Sequence, residues 1–389
     1  MDRLGPHREP TRGGWFLRDV LGPFLFSRLA LLLVAWFARQ FPREARYPDP
    51  EAVARSWQNV PWRWLDVWGR WDTSWYLSIA EHGYTAAANA VGERDIAFFP
   101  AYPLLVRAVA HVIPGEGVRA LYLAGLLASN LLAVGALALL WLLARDLLRD
   151  ETAAGRAVLY ALAFPAGFIL SCVYSESLFL FLGLAAFRFG LQRRWALAGL
   201  AGFFLALTRP VGVLFFLPLA LMSWEAAAQE GRRAAAGAAF LLLVPAGLAA
   251  WALYGWHLTG DPFAVFHAQT AWLRSLSWPW TTLAHPRGFH GYLTRIDGAV
   301  LVLFAALGLA GLAAFQPRAV GLLLVLLVLP PLTSGTLMSG TRFMAVAFPA
   351  FVLLARLGEE PLVDRAYLFL AIALQAVFMA AWSQLYWLG

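Results

Sequence analysis

Residues 119–144 read RALYLAGLLASNLLAVGALALLWLLA, with one charged residue, Arg119, at the start. Crossing the hydrocarbon core of a bilayer takes roughly 20 apolar residues, so this stretch is a membrane-spanning helix. Blocks of the same character recur from residue 20 onward, separated by short polar punctuation, and no separate soluble domain is visible. Composition agrees: 61% of residues are hydrophobic, 14% are charged, and mean hydropathy is +0.64. Soluble domains carry about a quarter charged residues. The fold class is therefore all-α, a polytopic helical membrane bundle, with 1–389 forming a single integral membrane domain. The first block, 22–38, follows several arginines and lacks a small-residue cleavage site, so it reads as a retained helix rather than a signal peptide.

Several function classes drop out. The single Cys172 excludes an intramolecular disulfide and any CxxC metal motif. There is no P-loop, dinucleotide fingerprint or repeat of 20–50 residues. A net charge of +7 suits basic cytoplasmic loops and does not point to nucleic acid.

The arginines orient the chain. Arg3, Arg8, Arg12 and Arg18 place the N-terminus, 1–19, in the cytoplasm. If the proline-interrupted stretch 98–113 does not cross, every later basic loop (145–156, 192–194, Arg232 and Arg233, Arg318, Arg356) also falls inside. The expected spans are near 20–39, 119–144, 157–173, 176–190, 195–208, 211–226, 234–256, 296–315, 319–334, 342–356 and 366–387, about eleven. Residues 40–118 then form a first extracytoplasmic loop carrying surface helices, and 257–295 the last large one. This topology gathers five polar segments on the outer face: Arg70 to Asp72, Tyr174 to Ser177, Thr208 to Pro210, the loop 257–295, and Ser339 to Arg342.

Asp72, followed by Thr73 and Ser74, stands where a helix N-cap belongs, and Trp75, Tyr76 and Ile79 look like an interfacial aromatic belt. The functional reading is a carboxylate held at the membrane surface as a general base. Glu176 lies at the mouth of two spans, as a cap or as part of a site. Arg209 and Arg342 sit at outer span ends, where the charge rule disfavours them, and a guanidinium fork suits phosphate oxygens. Gly260-Asp261-Pro262-Phe263 reads as a turn, with His267 behind it. His257, His267, His285 and His290 show no metal-ligand spacing; no cofactor is required, and a divalent metal lacks support.

Taken in order, Arg70-Trp71-Asp72 with Tyr76 to Ala80 and Gly83-Tyr84, Phe98 to Leu105, Tyr174 to Phe179, Thr208-Arg209, Gly260 to Phe263, and Ser339 to Pro349 resemble the motifs of the PIG-V-like mannosyltransferases of GPI-anchor assembly. The resemblance runs from about 70 to 350. It implies a GT-C-type fold and a glycosyltransferase that takes a hexose, mannose in the family, from a polyprenyl-phosphate carrier. It implies work at the extracytoplasmic face, with Asp72 matching an essential first-loop Asp. The expected reaction is an inverting displacement with Asp72 as base. Arg342, Arg209, Glu176, Arg70, Tyr174 and His267 are the expected donor- and substrate-binding residues. The implied partners are the sugar donor, a lipid or glycan acceptor and the bilayer. The chain is shorter than eukaryotic members, which points to a prokaryotic plasma membrane. The competing class is a transporter or lipid flippase, which broken helices and intramembrane polar groups also fit. Such a protein should show paired interrupted spans in two halves, and no halves match here.

Overall fold

The computed structural model describes residues 14–41, 58–89, 92–288 and 292–388. Arg3, Arg8, Arg12 and His290 lie outside the described residues. The rest is helical, with no strand among the described residues. In chain order the principal helices are α1 (Gly22–Ala38), α2 (Thr73–His82), α3 (Ala101–Ala110), α4 (Gly117–Leu148), α5 (Glu151–Ala163), α6 (Glu176–Leu191) and α7 (Trp195–Ala206). They continue with α8 (Phe216–Glu230), α9 (Leu243–Thr259), α10 (Tyr292–Ala314), α11 (Ala319–Leu332), α12 (Gly340–Met344), α13 (Phe348–Leu357) and α14 (Pro361–Ser383).

Six helical segments among the described residues are long and apolar enough to cross a membrane: Phe16–Ala38, Gly117–Leu148, Pro210–Glu230, Arg232–Thr259, Leu293–Ala314 and Pro361–Ser383. They present large apolar side chains outward, among them Phe26, Leu29, Leu131 and Phe369. In a membrane that surface faces lipid. Helix α3, inside the expected stretch 98–113, has ten residues. At 1.5 Å per residue it reaches about 15 Å, half of what a crossing needs.

Two expected spans that lead into the polar segments 174–177 and 339–342 are not continuous helices. The block 157–173 starts earlier, at Glu151, and its helix ends at Ala163; a short 3₁₀ turn, Gly167–Ser171, follows. Pro165 is the cause, because it lacks an N–H and drives the preceding residue out of the α region. Phe164 accordingly has φ −52° and ψ 140°. The block 342–356 is likewise split into α12 and α13, with Pro349 in the first turn of α13, where its missing N–H is tolerated.

Backbone groups freed by such a break must find partners inside the protein. Gln375 of α14 donates to the carbonyls of Leu162 and Phe164, at 2.7 and 2.8 Å. Arg28 of α1 donates to the carbonyl of Gly167 and, at 2.7 Å, to Ser171 Oγ, which donates to Asn130 of α4. These contacts fix the bent segment that leads into Tyr174 and Glu176. Elsewhere the bundle closes over small residues. A Cβ on Gly321 of α11 would stand 2.1 Å from the backbone nitrogen of Leu312 in α10, so only glycine permits that approach.

Gln375→Leu would take its partner from the buried Leu162 carbonyl and leave the Phe164 carbonyl with the N–H of Gly167 alone, at a cost of about 1–3 kcal/mol. The expected result is a lower midpoint of thermal unfolding in detergent. An unchanged midpoint would show that the break is held by something else.

Candidate functional site

The segment before α2 is pinned to the bundle through its backbone. Tyr122 donates to the carbonyl of Leu65 at 2.8 Å and Trp382 to that of Val67 at 2.7 Å. The N–H of Val173 reaches the carbonyl of Trp68, and Thr73 Oγ1 that of Val173. Gly69 fits because a Cβ there would meet the Tyr122 ring at 2.2 Å. Tyr174 ties the next step: its hydroxyl donates to the carbonyl of Arg70 at 3.0 Å and accepts the N–H of Asp72 at 3.1 Å. Trp71, just before Asp72, is forced to φ +52°, an outlier for a bulky residue and a mark of a position that the surroundings over-determine.

The result is a buried carboxylate aimed inward. Asp72 is at the N-cap position of α2, yet its side chain makes no cap hydrogen bond. Asp72 Oδ2 instead accepts from Arg342 Nη1 at 2.8 Å. The α12 turn that carries Arg342 is itself held from below: Asp297 of α10 accepts the N–H of Thr341 at 2.7 Å. Ser339, at its N-cap, has φ +70°. Unfavourable backbone geometry therefore lies beside both ends of the Asp72–Arg342 pair.

Glu176 and two further arginines complete the cluster. Glu176 opens α6, where the helix N-terminus favours a negative charge. Its Oε1 stands 2.7 Å from Arg209 Nη1 and 3.4 Å from Arg342 Nε. Neither approach is aligned as a hydrogen bond, and Glu176 Oε2 also makes none; the attraction is Coulombic, with donors and an acceptor to spare. Arg274, from the loop 257–295, donates to Gln269 Oε1 at 2.8 Å. Among the described residues no carboxylate lies within ion-pair distance of it. Arg209, Arg274 and Arg342 all lie over the ring of Phe343, with guanidinium carbons 5.1, 5.0 and 5.3 Å from its centroid. The ring face offsets part of the repulsion among them. Removal from bulk water, then the positive charges of Arg342 and Arg209, push the Arg274 guanidinium down to about 10.

Asp72, Arg209, Arg274, Arg342 and Phe343 line a cavity of about 450 Å³, with Glu176 behind Arg209 and Arg342. Asp72, Tyr76, Arg209, Gln269, Arg274, Ser339 and Arg342 supply its polar wall. Val211, Val213, Leu214, Leu327 and Val346 supply an apolar one. A charged pocket continuous with an apolar wall suits an amphiphile with an anionic head.

The structure brings together Asp72, Glu176, Arg209 and Arg342, with Tyr174 behind Arg342 at 5.4 Å. It brings neither Arg70 nor His267 into this cluster. Arg70 is spent on its own loop, through Asp66 Oδ2 at 2.9 Å and the carbonyls of Asp66 and Gly69. His267 is exposed and pairs with Asp261 at 2.7 Å; that contact holds the Asp261 carboxyl below its usual range. Sequence reasoning missed Arg274 and Asp297. The argument that singled out Arg342, an arginine on the side where arginine is disfavoured, applies equally to Arg274. An Asp within an apolar span marks Asp297. Among the described residues, no three of His, Cys, Asp or Glu gather as they would around a metal ion.

The family profile described as Mannosyltransferase (PIG-V) matches residues 18–214, a stretch that holds Asp72, Glu176 and Arg209. The chain belongs to that family. Within it, GPI mannosyltransferase 2 of Drosophila pseudoobscura pseudoobscura is 31% identical over 175 residues, covering 40% of this chain and 37% of the relative. The match thus spans little more than a third of that relative's length. Among solved structures, ArnT from Cupriavidus metallidurans bound to undecaprenyl phosphate superposes with a TM-score of 0.52 at 13% identity, over 97% of this chain and 77% of that one. The Archaeoglobus fulgidus oligosaccharyltransferase tethered to an acceptor peptide gives 0.46 at 14% identity, over 96% and 56%. The family member described here therefore shares the fold of ArnT, the GT-C-type bundle that its sequence motifs implied.

Glu176→Ala would leave Arg209 and Arg342 facing each other without their shared carboxylate. Breaking a buried pair this way costs about 3–5 kcal/mol. The unfolding midpoint in detergent should fall accordingly; a midpoint within error of wild type would show that Glu176 does not hold the cluster.

Proposed function

We propose that this protein is a membrane mannosyltransferase that takes its sugar from a polyprenyl-phosphate carrier and passes it to a hydroxyl on a lipid or glycan. The observation that carries this reading is the Asp72 carboxylate, withheld from its own helix cap and aimed into a cavity with guanidiniums on one wall and apolar side chains on the other. Family membership supports the mannosyl chemistry. The fold shared with ArnT, which was solved with undecaprenyl phosphate, supports the carrier.

In this mechanism the prenyl chain lies along the apolar wall and the phosphate against the arginines. Asp72 accepts the proton of the acceptor hydroxyl as the oxygen attacks the anomeric carbon from the face opposite the phosphate. The bond from that carbon to the phosphate oxygen breaks, its electron pair stays on the phosphate, and the configuration inverts. Guanidiniums placed where charge develops stabilise the transition state, and Arg342 and Arg209 fill that role here. A phosphate leaving group needs no strong general acid.

The reaction is assigned to the extracytoplasmic face, in a prokaryotic plasma membrane. Helix α6 supports the sidedness. It carries Glu176 against the cavity arginines Arg209 and Arg342 and, 12 residues on, Arg188 paired with Asp146 at 3.1 Å. That separation is about 18 Å along the axis. The basic loop 188–194 and the end of α4 thus lie at the opposite end from the cavity, and basic loops face the cytoplasm.

A general base contributes roughly 10²–10⁴-fold in rate. Asp72→Asn should lower mannosyl transfer from a polyprenyl-phosphate donor by that order, measured in membranes as labelled product and released carrier phosphate, with expression unchanged. Transfer at the wild-type rate would sink the assignment. Movement of the intact carrier across the bilayer without any transfer would return the transporter reading.

A further inference from the structure

The cluster carries a charge imbalance that the mechanism above does not use. Three guanidiniums, Arg209, Arg274 and Arg342, share the ring of Phe343, and among the described residues the carboxylates within ion-pair distance of them are Asp72 and Glu176, which leaves one positive charge in surplus within this group. The surplus has an address. Arg342 is engaged by Asp72 at 2.8 Å and by Glu176 at 3.4 Å, and Arg209 by Glu176 at 2.7 Å. Arg274 donates to the neutral amide of Gln269 and, among the described residues, has no carboxylate within ion-pair distance. It lines the same cavity as Asp72 and shares the Phe343 ring with the other two arginines.

The proposed donor is a phosphodiester carrying one negative charge, which matches that surplus. The reaction changes the match. When the proton of the acceptor passes to Asp72, the carboxylate becomes neutral and Arg342 loses its main partner. In the same step the leaving phosphate becomes a monoester and gains a second negative charge. The site then holds three guanidiniums against Glu176 alone, a surplus of two, and the product carries two.

Resting on the reading of this site as a polyprenyl-phosphate mannosyltransferase, we propose that Arg274 is the standing contact for the donor phosphate, and that Arg342 is exchanged from Asp72 to that phosphate as Asp72 takes up the proton. The exchange is short, because both arginines already lie over one ring. Arg342 also keeps an Nε that makes no aligned hydrogen bond in the resting arrangement. The same step that creates the second phosphate charge releases the cation that answers it, so no separate general acid is called for. Restoring the Asp72 carboxylate by proton loss draws Arg342 back and lowers the hold on the spent carrier, which makes deprotonation of Asp72 the event that favours product release.

The proposal is tested by binding rather than turnover, using the full chain in lipid nanodiscs. The probes are undecaprenyl phosphate as the monoester and its methyl phosphodiester as the singly charged analogue, at a pH where the monoester is dianionic. Asp72→Asn, with Asp72→Ser as a second neutral variant, imitates the protonated carboxylate. It should bind the monoester roughly tenfold or more tightly than wild type and the diester only a few-fold more tightly, as expected for charges meeting at about 4 Å in a partly desolvated site. That preferential gain should vanish when Arg342→Gln is added. Arg274→Gln should weaken both ligands by roughly tenfold, while Arg274→Lys recovers part of the loss. Equal gains for the two ligands, or a monoester gain that survives Arg342→Gln, would overturn the exchange. Unchanged affinity in Arg274→Gln would overturn the standing contact. Either failure leaves the transferase reading in place so long as wild type binds undecaprenyl phosphate; if wild type binds neither probe, the carrier assignment and this proposal fall together.

Discussion

The carboxylate of Asp72 and the guanidinium of Arg342 meet at 2.8 Å across 270 positions of sequence, and both residues are buried. An ion pair taken out of water loses several kcal/mol of hydration on each side, and the attraction between the partners returns that only when their geometry is held. Much of the surrounding structure serves that condition. Tyr174 holds the backbone on both sides of Trp71, Asp297 anchors the turn under Arg342, and Trp71 and Ser339 sit in left-handed backbone conformations beside the two partners. A fold selected for stability alone would place apolar residues here. The energetic outlay makes sense for a group whose charge must change during a reaction.

The same economy explains the broken helices. The chain does not reach Tyr174 and Glu176 along one continuous helix. Pro165 stops α5 early, and the chain turns within the protein interior before α6 starts at Glu176. The carbonyls exposed by that turn are met by Gln375 and Arg28, from the last and first long helices. Distant ends of the chain thus shape one corner of the cavity. The polar groups of the site come from the first loop, the break before α6, the end of α7, the late loop and α12, so no single helix could have supplied them.

The bundle was legible in the sequence because lipid imposes a strong and simple constraint, length and apolarity, on each span. Glu176, Arg209 and Arg342 were legible for a related reason, because an ionisable residue at the end of an apolar run is rare; Asp72, a helix cap by local pattern, stood out through the motif it belongs to. Arg274 was hidden in a loop of prolines and tryptophans without periodicity, and Asp297 inside a run read only for its hydropathy. Arg70 illustrates the opposite error. The motif that carries Asp72 also carries Arg70 and implied a shared role, yet the turn through Trp71 separates their partners, and Arg70 closes on Asp66 and the carbonyls of its own loop. Which hydrogen-bond acceptor a side chain finds across the bundle depends on packing that no local pattern encodes; the lost cap role of Asp72 is the clearest instance.

The central claim is that a prenyl phosphate lies in the cavity with its head against the arginines around Phe343. An experimental structure of the full chain with undecaprenyl phosphate tests this most directly. The account predicts the phosphate within hydrogen-bond distance of Arg274 and the prenyl chain along Val211, Leu214 and Leu327. A phosphate bound at the opposite end of α6, near Arg188, or a cavity filled by protein side chains in the presence of the lipid, would contradict it.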